Sequence, residues 1–233
     1  MIDPLNRPDP AVEVEGVSRI FEGPEGPVVA LSDIDLRVDH ASMAAIRGRS
    51  GSGKTTLLNL IGALDTPTSG TVRVNGQRID TLGPGAAARW RAVTIGCVFQ
   101  AHALMPSMTA LENVDLVLRI SGIERGERIE RAHSCLEQVG LADRMHHRPA
   151  ELSGGQRQRV AVARAMASGN TLLIADEPTA GLDSQTATGV FTLLRSLVDS
   201  ESITIVMATH DPLSSDFVDS AMHLERGTLV VDA

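Results

Sequence analysis

Tyrosine is absent from this chain, tryptophan occurs once and phenylalanine four times. So few rings exclude a surface that reads single-stranded nucleic acid by serial stacking. Any aromatic stacking falls to a phenylalanine. Lysine is nearly absent too: of 21 basic residues counted without histidine, only Lys54 is a lysine and the rest are arginines. The two cysteines, Cys97 and Cys135, make neither a disulfide framework nor a metal-ligand spacing. They are expected to be buried, reduced thiols. His102, His146 and His147 have no ligand spacing either and read as solvated. No apolar run approaches the roughly 20 residues that cross a bilayer. The acidic, Pro-rich Met1 to Pro10 has no apolar core of a signal peptide; it reads as a disordered arm. These absences predict a cytoplasmic chain that meets a membrane only through a partner. Net charge is −8, with no Arg-rich block. No nucleic-acid partner is expected.

Enough remains for a core. Hydrophobic residues make up 42% of 233 positions, which supports one α/β domain with room for an insertion. Val12 to Val38 alternates around the turn signals Gly23-Pro24-Glu25-Gly26-Pro27, predicting antiparallel strands. Thr71 to Val74 reads as a strand running into an Asn75-Gly76 turn. Leu82 to Arg91 reads as a helix and Val93 to Phe99 as a strand. From Ala110 to Leu141 the period becomes helical. Leu111, Val114 and Leu118, then Ile129, Ala132 and Leu136, form the apolar stripes on either side of a break at Ser121-Gly122. Thr171 to Ala175 and Ile203 to Ala208 read as buried strands, with a helix over Gln185 to Val198 between them. Strand–helix alternation around a helical block predicts a parallel-sheet core carrying an inserted helical subdomain.

The lone lysine sits in Gly48-Arg49-Ser50-Gly51-Ser52-Gly53-Lys54-Thr55, which fits G-x-x-x-x-G-K-[ST], the phosphate-cradling P-loop. An Arg-rich composition that keeps a lysine here implies a place for a compact ammonium rather than a planar fork. The apolar Met43 to Ile46 precedes the loop as a strand would. Thr55 to Ile61 follows without Pro or Gly, as a helix would. Glycines Gly51 and Gly53 let backbone N–H groups turn onto phosphate oxygens, at a helix terminus of partial positive charge. Lys54 would reach the terminal phosphates and the Thr55 hydroxyl a Mg²⁺ ion.

Leu172 to Glu177 is an apolar strand ending in two acids. Behind a P-loop, Asp176 is placed to hold Mg²⁺ and Glu177 to act as general base on water. Leu152-Ser153-Gly154-Gly155-Gln156 opens a second breaker-free helix. Ser153 is suited to its N-cap, and the two glycines expose N–H groups to an anion.

At this point the chain resembles the ATP-binding cassette (ABC) ATPases. Leu152 to Gln156 matches their signature letter for letter, Gly48 to Thr55 their Walker A and Leu172 to Glu177 their Walker B. Gln100 fits the Q-loop glutamine, Gly181-Leu182-Asp183 the D-loop, and His210 the switch histidine. The resemblance covers residues 12–230. It implies a P-loop NTPase (RecA-like) α/β fold with an N-terminal antiparallel β subdomain and an inserted helical subdomain. A single domain over 11–233 is expected, with core and β subdomain at about 11–99 and 157–233 and the helical part at about 101–156. It also implies ATP and Mg²⁺ as cofactors and a head-to-tail dimer of two copies. Each ATP would be held by Ser50, Gly51, Ser52, Gly53, Lys54, Thr55 and Thr56 of one copy and by Ser153, Gly155 and Gln156 of the other. Asp183 would also contact nucleotide, as would Gln100 and His210 at the γ-phosphate. Lys54, Gln100, Glu177 and His210 would be catalytic, and Thr55, Gln100 and Asp176 would bind the metal.

Two features depart from the family pattern. Its adenine-stacking tyrosine is missing, and Phe21 is the nearest substitute, with a core phenylalanine as the plainer reading. Arg49 replaces a frequent proline. Leu64 to Gly70, with Leu104-Met105-Pro106 and Leu111 to Val114, resembles the subgroup serving lipoprotein release, macrolide efflux, antimicrobial-peptide resistance and cell division. That implies an integral-membrane permease partner with an extracytoplasmic domain, and a place on the cytoplasmic face of the membrane. Control of a cell-wall hydrolase through a membrane partner, and a soluble ABC ATPase of iron–sulfur assembly, stay open as alternatives. The Met-rich, apolar Ala101 to Met108 is expected either to dock the permease or to be a buried connector.

Overall fold

The computed structural model describes residues 9–24, 26–99 and 103–230. The N-terminal arm apart from Asp9 and Pro10, and also Gln100 and His102, lie outside the described residues.

Two sheets share the chain. Strands β1 (Val12–Gly23), β2 (Gly26–Val38), β4 (Ser69–Val74) and β5 (Gln77–Arg78) form an antiparallel sheet in the order β2-β1-β4-β5. Its alternation is the expected one: Val12, Val14 and Val17 face inward on β1, with register shifts after Val14 that keep Val17 on the buried side. The second sheet adds β3 (Met43–Arg47), β6 (Ile95–Val98), β7 (Leu172–Asp176), β8 (Thr204–Ala208), β9 (Ser220–Glu225) and β10 (Thr228–Val230), in the order β10-β9-β3-β8-β7-β6. All its pairs are parallel except β9 with β10.

Strand β3 explains why the core has two halves. Met43 and Ala45 point into one apolar cluster, Ala44 and Ile46 into the other, and all four are buried. A strand covered on both faces reads as a continuous apolar run. Helix α1 (Lys54–Ile61) covers one face with Leu57, Leu58, Leu60 and Ile61. Helices α5 (Gly154–Met166) and α6 (Ser184–Glu201) cover the other. Helix α5 lies so close to β6 that a Cβ on Gly96 would stand 2.2 Å from the Ala165 carbonyl oxygen.

Helices α3 (Ala110–Ile120) and α4 (Arg125–Gln138) form the helical insertion and pack on α5. The stripe on α4 differs from expectation. It is built by Ala132, Cys135 and Leu136, continuing to Val139, while Ile129 is exposed. The i, i+3, i+4, i+7 set starts at Ala132, so Ile129 falls at its solvent edge. Helix α2 (Pro84–Thr94) also runs further than expected, taking in the exposed Val93, and β6 starts only at Ile95. Among the described residues no helix is long and apolar enough to cross a membrane. Cys135 is buried, with its thiol pushed up to about 11 by burial; Cys97 is half-buried and shifts the same way for the same reason.

Candidate nucleotide site

The loop between β3 and α1 turns through left-handed backbone at Gly51 (φ 78°) and Gly53 (φ 107°). At Gly53 the requirement is also steric, since a Cβ would meet the Ala30 carbonyl oxygen at 2.6 Å. At Gly51 nothing lies within 4 Å, and only the backbone angle demands glycine. The loop closes around its own lysine. Lys54 Nζ donates to the carbonyls of Gly48 (2.9 Å) and Arg49 (3.2 Å), and the residue is only 8% exposed. An ammonium held by loop carbonyls at a helix N-terminus is a concentrated positive site for phosphate oxygens.

Across the groove, β7 delivers Asp176 and Glu177. The Thr55 hydroxyl donates to Asp176 Oδ2 at 2.9 Å. Burial pushes the Asp176 carboxyl up; the Thr55 hydrogen bond opposes this, Glu177 adds to it and Lys54 opposes it. Two hard oxygens from separate elements thus converge beside the P-loop, a donor set that fits Mg²⁺. Glu177 takes a left-handed backbone (φ 50°), uncommon for a non-glycine residue and costing about 1–3 kcal/mol at a typical site. That turn is fixed by the Glu177 N–H donating to the Ala208 carbonyl at the end of β8. It aims the carboxylate between Lys54 Nζ, 3.8 Å away, and His210 Nδ1, 2.8 Å away. The His210 backbone N–H reaches the same carboxylate oxygen at 3.3 Å. The loops behind are tied together, since the Thr179 hydroxyl donates to Asp211.

The resulting groove has a volume of about 710 Å³. Of the residues singled out in the sequence, Ser50, Gly51, Gly53, Lys54, Thr55, Thr56, Asp176, Glu177 and His210 line it. Ser52 does not. Its hydroxyl is buried without a hydrogen-bond partner among the described residues and belongs to a neighbouring cavity. Phe21 does not line the groove either. It is 39% exposed on β1, with the Arg19 guanidinium 4.3 Å above its ring and that guanidinium anchored to Asp65. The apolar wall of the groove comes instead from Val28, Val29 and Ala30. Val28 and Val29 are both more than half exposed. Two adjacent valines in an otherwise alternating strand were the available signal, because one of them has to face solvent.

Ser153, Gly155, Gln156 and Asp183 lie outside this groove. Ser153 caps α5 in a reciprocal box: its hydroxyl accepts from the Gln156 N–H, and Gln156 Oε1 accepts from the Ser153 N–H. Asp183 caps α6 and also accepts from the Thr186 hydroxyl. Gly155 packs against that threonine, where a Cβ would meet Thr186 Cγ2 at 2.3 Å. His146 is exposed, but His147 is half-buried beside Arg144, and its carbonyl accepts from Ala110.

Known proteins are similar to this chain. A model of the ABC transporter family matches residues 31–180. The lipoprotein-releasing system ATP-binding protein LolD of Pseudomonas fluorescens is 46% identical over 209 residues, covering 90% of this chain and 92% of that protein. The macrolide export ATP-binding/permease protein MacB of Hahella chejuensis is 38% identical over 224 residues, covering 96% of this chain. This chain spans only 34% of that MacB. Among solved structures, a dimeric ATP-binding cassette in a post-hydrolysis state bound to ADP and Pi superimposes with a TM-score of 0.87 at 36% identity. That match covers 95% of this chain and 97% of the other. The chain belongs to the ABC transporter family and is an ATPase that works with ATP and Mg²⁺.

Proposed function

We propose that this ATPase drives a separate membrane permease, of the kind that the lipoprotein-release and macrolide-export relatives name, by ATP-dependent closure of two copies. The observation that carries the catalytic part is the Glu177 carboxylate, held between Lys54 and His210 at the mouth of the P-loop. Glu177 takes a proton from the attacking water, Lys54 and the loop N–H groups hold the terminal phosphates, and His210 orients the carboxylate. Thr55 and Asp176 hold the metal. When bound, Mg²⁺ neutralises charge on the transferring phosphoryl group. Gln100 completes the metal and γ-phosphate contacts by the family resemblance.

Ser153, Gly155 and Gln156 serve the ATP of a second copy, with Asp183 at the same head-to-tail interface. Their distance from their own P-loop groove supports this reading, as does the dimeric state named for the similar cassette. Adenine rests against Val28 and Val29, with Phe21 at the edge of that wall. We divide the chain into a core with β subdomain, about 11–99 and 157–233, and a helical part, about 101–156.

The permease docks at the junction of these parts. A groove there is lined by Cys97, Phe99, Met105, Val117 and Ile120. Three of these side chains, Phe99, Met105 and Ile120, are exposed apolar groups. The ATPase then sits at the cytoplasmic face of the membrane, held by a permease with an extracytoplasmic domain. The test is ATP turnover with and without such a permease in lipid nanodiscs. Stimulation together with co-purification supports the coupling. An unchanged rate and no complex would leave the ATPase and remove the permease.

A further inference from the structure

Next to the nucleotide groove lies a second cavity of about 730 Å³ that the proposed function does not use. The two share Arg49, Ser50, Gly51 and His210. They therefore adjoin along the P-loop and at His210, whose imidazole meets Glu177. Arg47, Arg49 and Arg226 line the second cavity, with His223. None of the three arginines has a carboxylate within ion-pair distance among the described residues.

What sets these three apart is that they converge on one cavity. Some arginines elsewhere are held by carboxylates, as Arg19 is by Asp65 and Arg195 by Asp199 and Asp219. Arg47 ends β3 and uses Nη2 to donate to the hydroxyls of Ser214 (3.0 Å) and Ser215 (2.9 Å), while its Nε is buried with no partner among the described residues. The Ser52 hydroxyl, in the same wall, is also buried and unpartnered. Two acids line the cavity, Asp211 and Glu225. Asp211 is already engaged, accepting from the Thr179 hydroxyl and the Leu213 N–H. Three guanidinium groups against two carboxylates leave the cavity positive.

The wall is also fixed to the P-loop. Arg226 and Gly227 make the β9–β10 turn with φ of 48° and 82°. Gly227 N–H donates to the Ser52 carbonyl, and its own carbonyl accepts from the Ser32 N–H. A left-handed arginine at a two-residue hairpin turn, where asparagine or glycine is usual, holds a long cation at the rim of the cavity.

We propose that this cavity is a holding site for inorganic phosphate as it leaves the nucleotide groove. The inference rests on the reading that places the terminal phosphate of ATP beside Glu177 and His210. Hydrolysis leaves a phosphate dianion there, facing the ADP phosphates and the Glu177 carboxylate, all of one sign. A short move past His210 brings it to three guanidinium groups with no carboxylate partner among the described residues, whose planar forks match phosphate oxygens.

The experiment uses the full chain, Mg²⁺, and inorganic phosphate as the titrant, followed by calorimetry and ³¹P NMR. The nucleotide groove is first filled with ADP, then separately with a non-hydrolysable ATP analogue that also occupies the γ position. One phosphate per chain should bind in both arms. Arg226→Asn keeps a residue that tolerates the left-handed turn. It should weaken phosphate by about tenfold or more, the scale of one charge-assisted hydrogen bond, and leave ADP affinity unchanged. Arg47→Met should do the same, and circular dichroism checks its fold. Phosphate binding that vanishes with the analogue would place it in the γ position and overturn the proposal, as would binding unchanged in Arg226→Asn. Failure of ADP itself to bind would instead strike the underlying reading of the groove.

Discussion

His210 Nδ1 and Glu177 Oε2 lie 2.8 Å apart. An ionised carboxylate can only accept, so the imidazole proton sits on Nδ1 and the Nε2 atom faces away from Glu177. The same carboxylate has Lys54 Nζ 3.8 Å from its other oxygen. Glu177→Gln keeps the shape and removes the basicity. Hydrolysis should fall by about two orders of magnitude or more, the scale of lost general-base catalysis. ATP binding and any ATP-dependent dimer should persist. Single-turnover assays check the first part and sizing of the ATP-bound chain the second. Parent-rate turnover in this variant would remove Glu177 from the chemistry.

Asp176 gives a prediction in which stability and activity part. Burial holds its carboxyl above the ordinary value, against the pull of the Thr55 hydroxyl. The folded state therefore binds more protons than the unfolded one between the ordinary and the raised value. The contribution of Asp176 to stability falls as pH rises through that window, and its cost is fully in place above it. Asp176→Asn removes this cost. The nucleotide-free variant should melt at a higher temperature than the parent near neutral pH, yet lose Mg²⁺-dependent turnover. In the parent, Mg²⁺ affinity should rise with pH across the same window. A lower melting temperature would mean that the charge stabilises the fold.

Much of this architecture was legible because its signals are local. Ser153 before a breaker-free helix announces an N-cap, and it caps α5, in a box with Gln156. The apolar runs before Lys54 and before Asp176 announce covered strands, and both are buried. What stayed hidden depends on packing between distant segments. The Val28 and Val29 wall becomes part of the groove only because β2 meets the P-loop at Gly53. Phe21 is an acceptable ring by composition, and one of its faces is covered by Arg19, which Asp65 positions from 46 residues away. Ser52 reads as a phosphate ligand by motif, whereas its hydroxyl is buried and the residue lines the neighbouring cavity.

The shared site predicts complementation. A chain carrying Lys54→Ala mixed with one carrying Ser153→Arg can assemble one intact composite site and one doubly damaged site. Each parent alone damages both. ATPase activity on mixing should exceed that of either variant. A dimer that forms without any recovery would argue that Ser153 does not act on the partner's nucleotide.

Asn113 is fully buried on α3 and organises the segment after Gln100. Its Oδ1 accepts from the Met105 N–H at 2.7 Å, and its Nδ2 donates to the carbonyls of Met105, Met108 and Thr109. Asn113→Ala strands the Met105 N–H and the Met108 carbonyl, while the Met105 and Thr109 carbonyls keep the Met108 and Asn113 N–H groups. It should cost about 2–3 kcal/mol, the range for buried polar groups left unsatisfied. Hydrogen exchange should speed up first at residues 104–109. Uniform destabilisation, with no local change in exchange, would show that Asn113 does not order this loop.

That loop contains both halves of the expectation for residues 101–108, and the side chains separate them. Leu104 packs on the large core cluster and behaves as a connector. Met105 is 45% exposed and lines the groove with Phe99 and Ile120, which are also exposed. Leu104→Asp should therefore cost folding, because a carboxylate enters an apolar cluster without a partner. Met105→Asp and Ile120→Asp place the charge at the groove surface. Both should melt within a few degrees of the parent and hydrolyse ATP at its basal rate. A permease helix that buries its apolar face in this groove would meet an unpaired carboxylate, so co-purification and stimulation should both be lost. Permease binding unchanged in both variants would move the docking site away from this groove. Loss of stimulation with retained binding would instead assign the groove to force transmission rather than to capture.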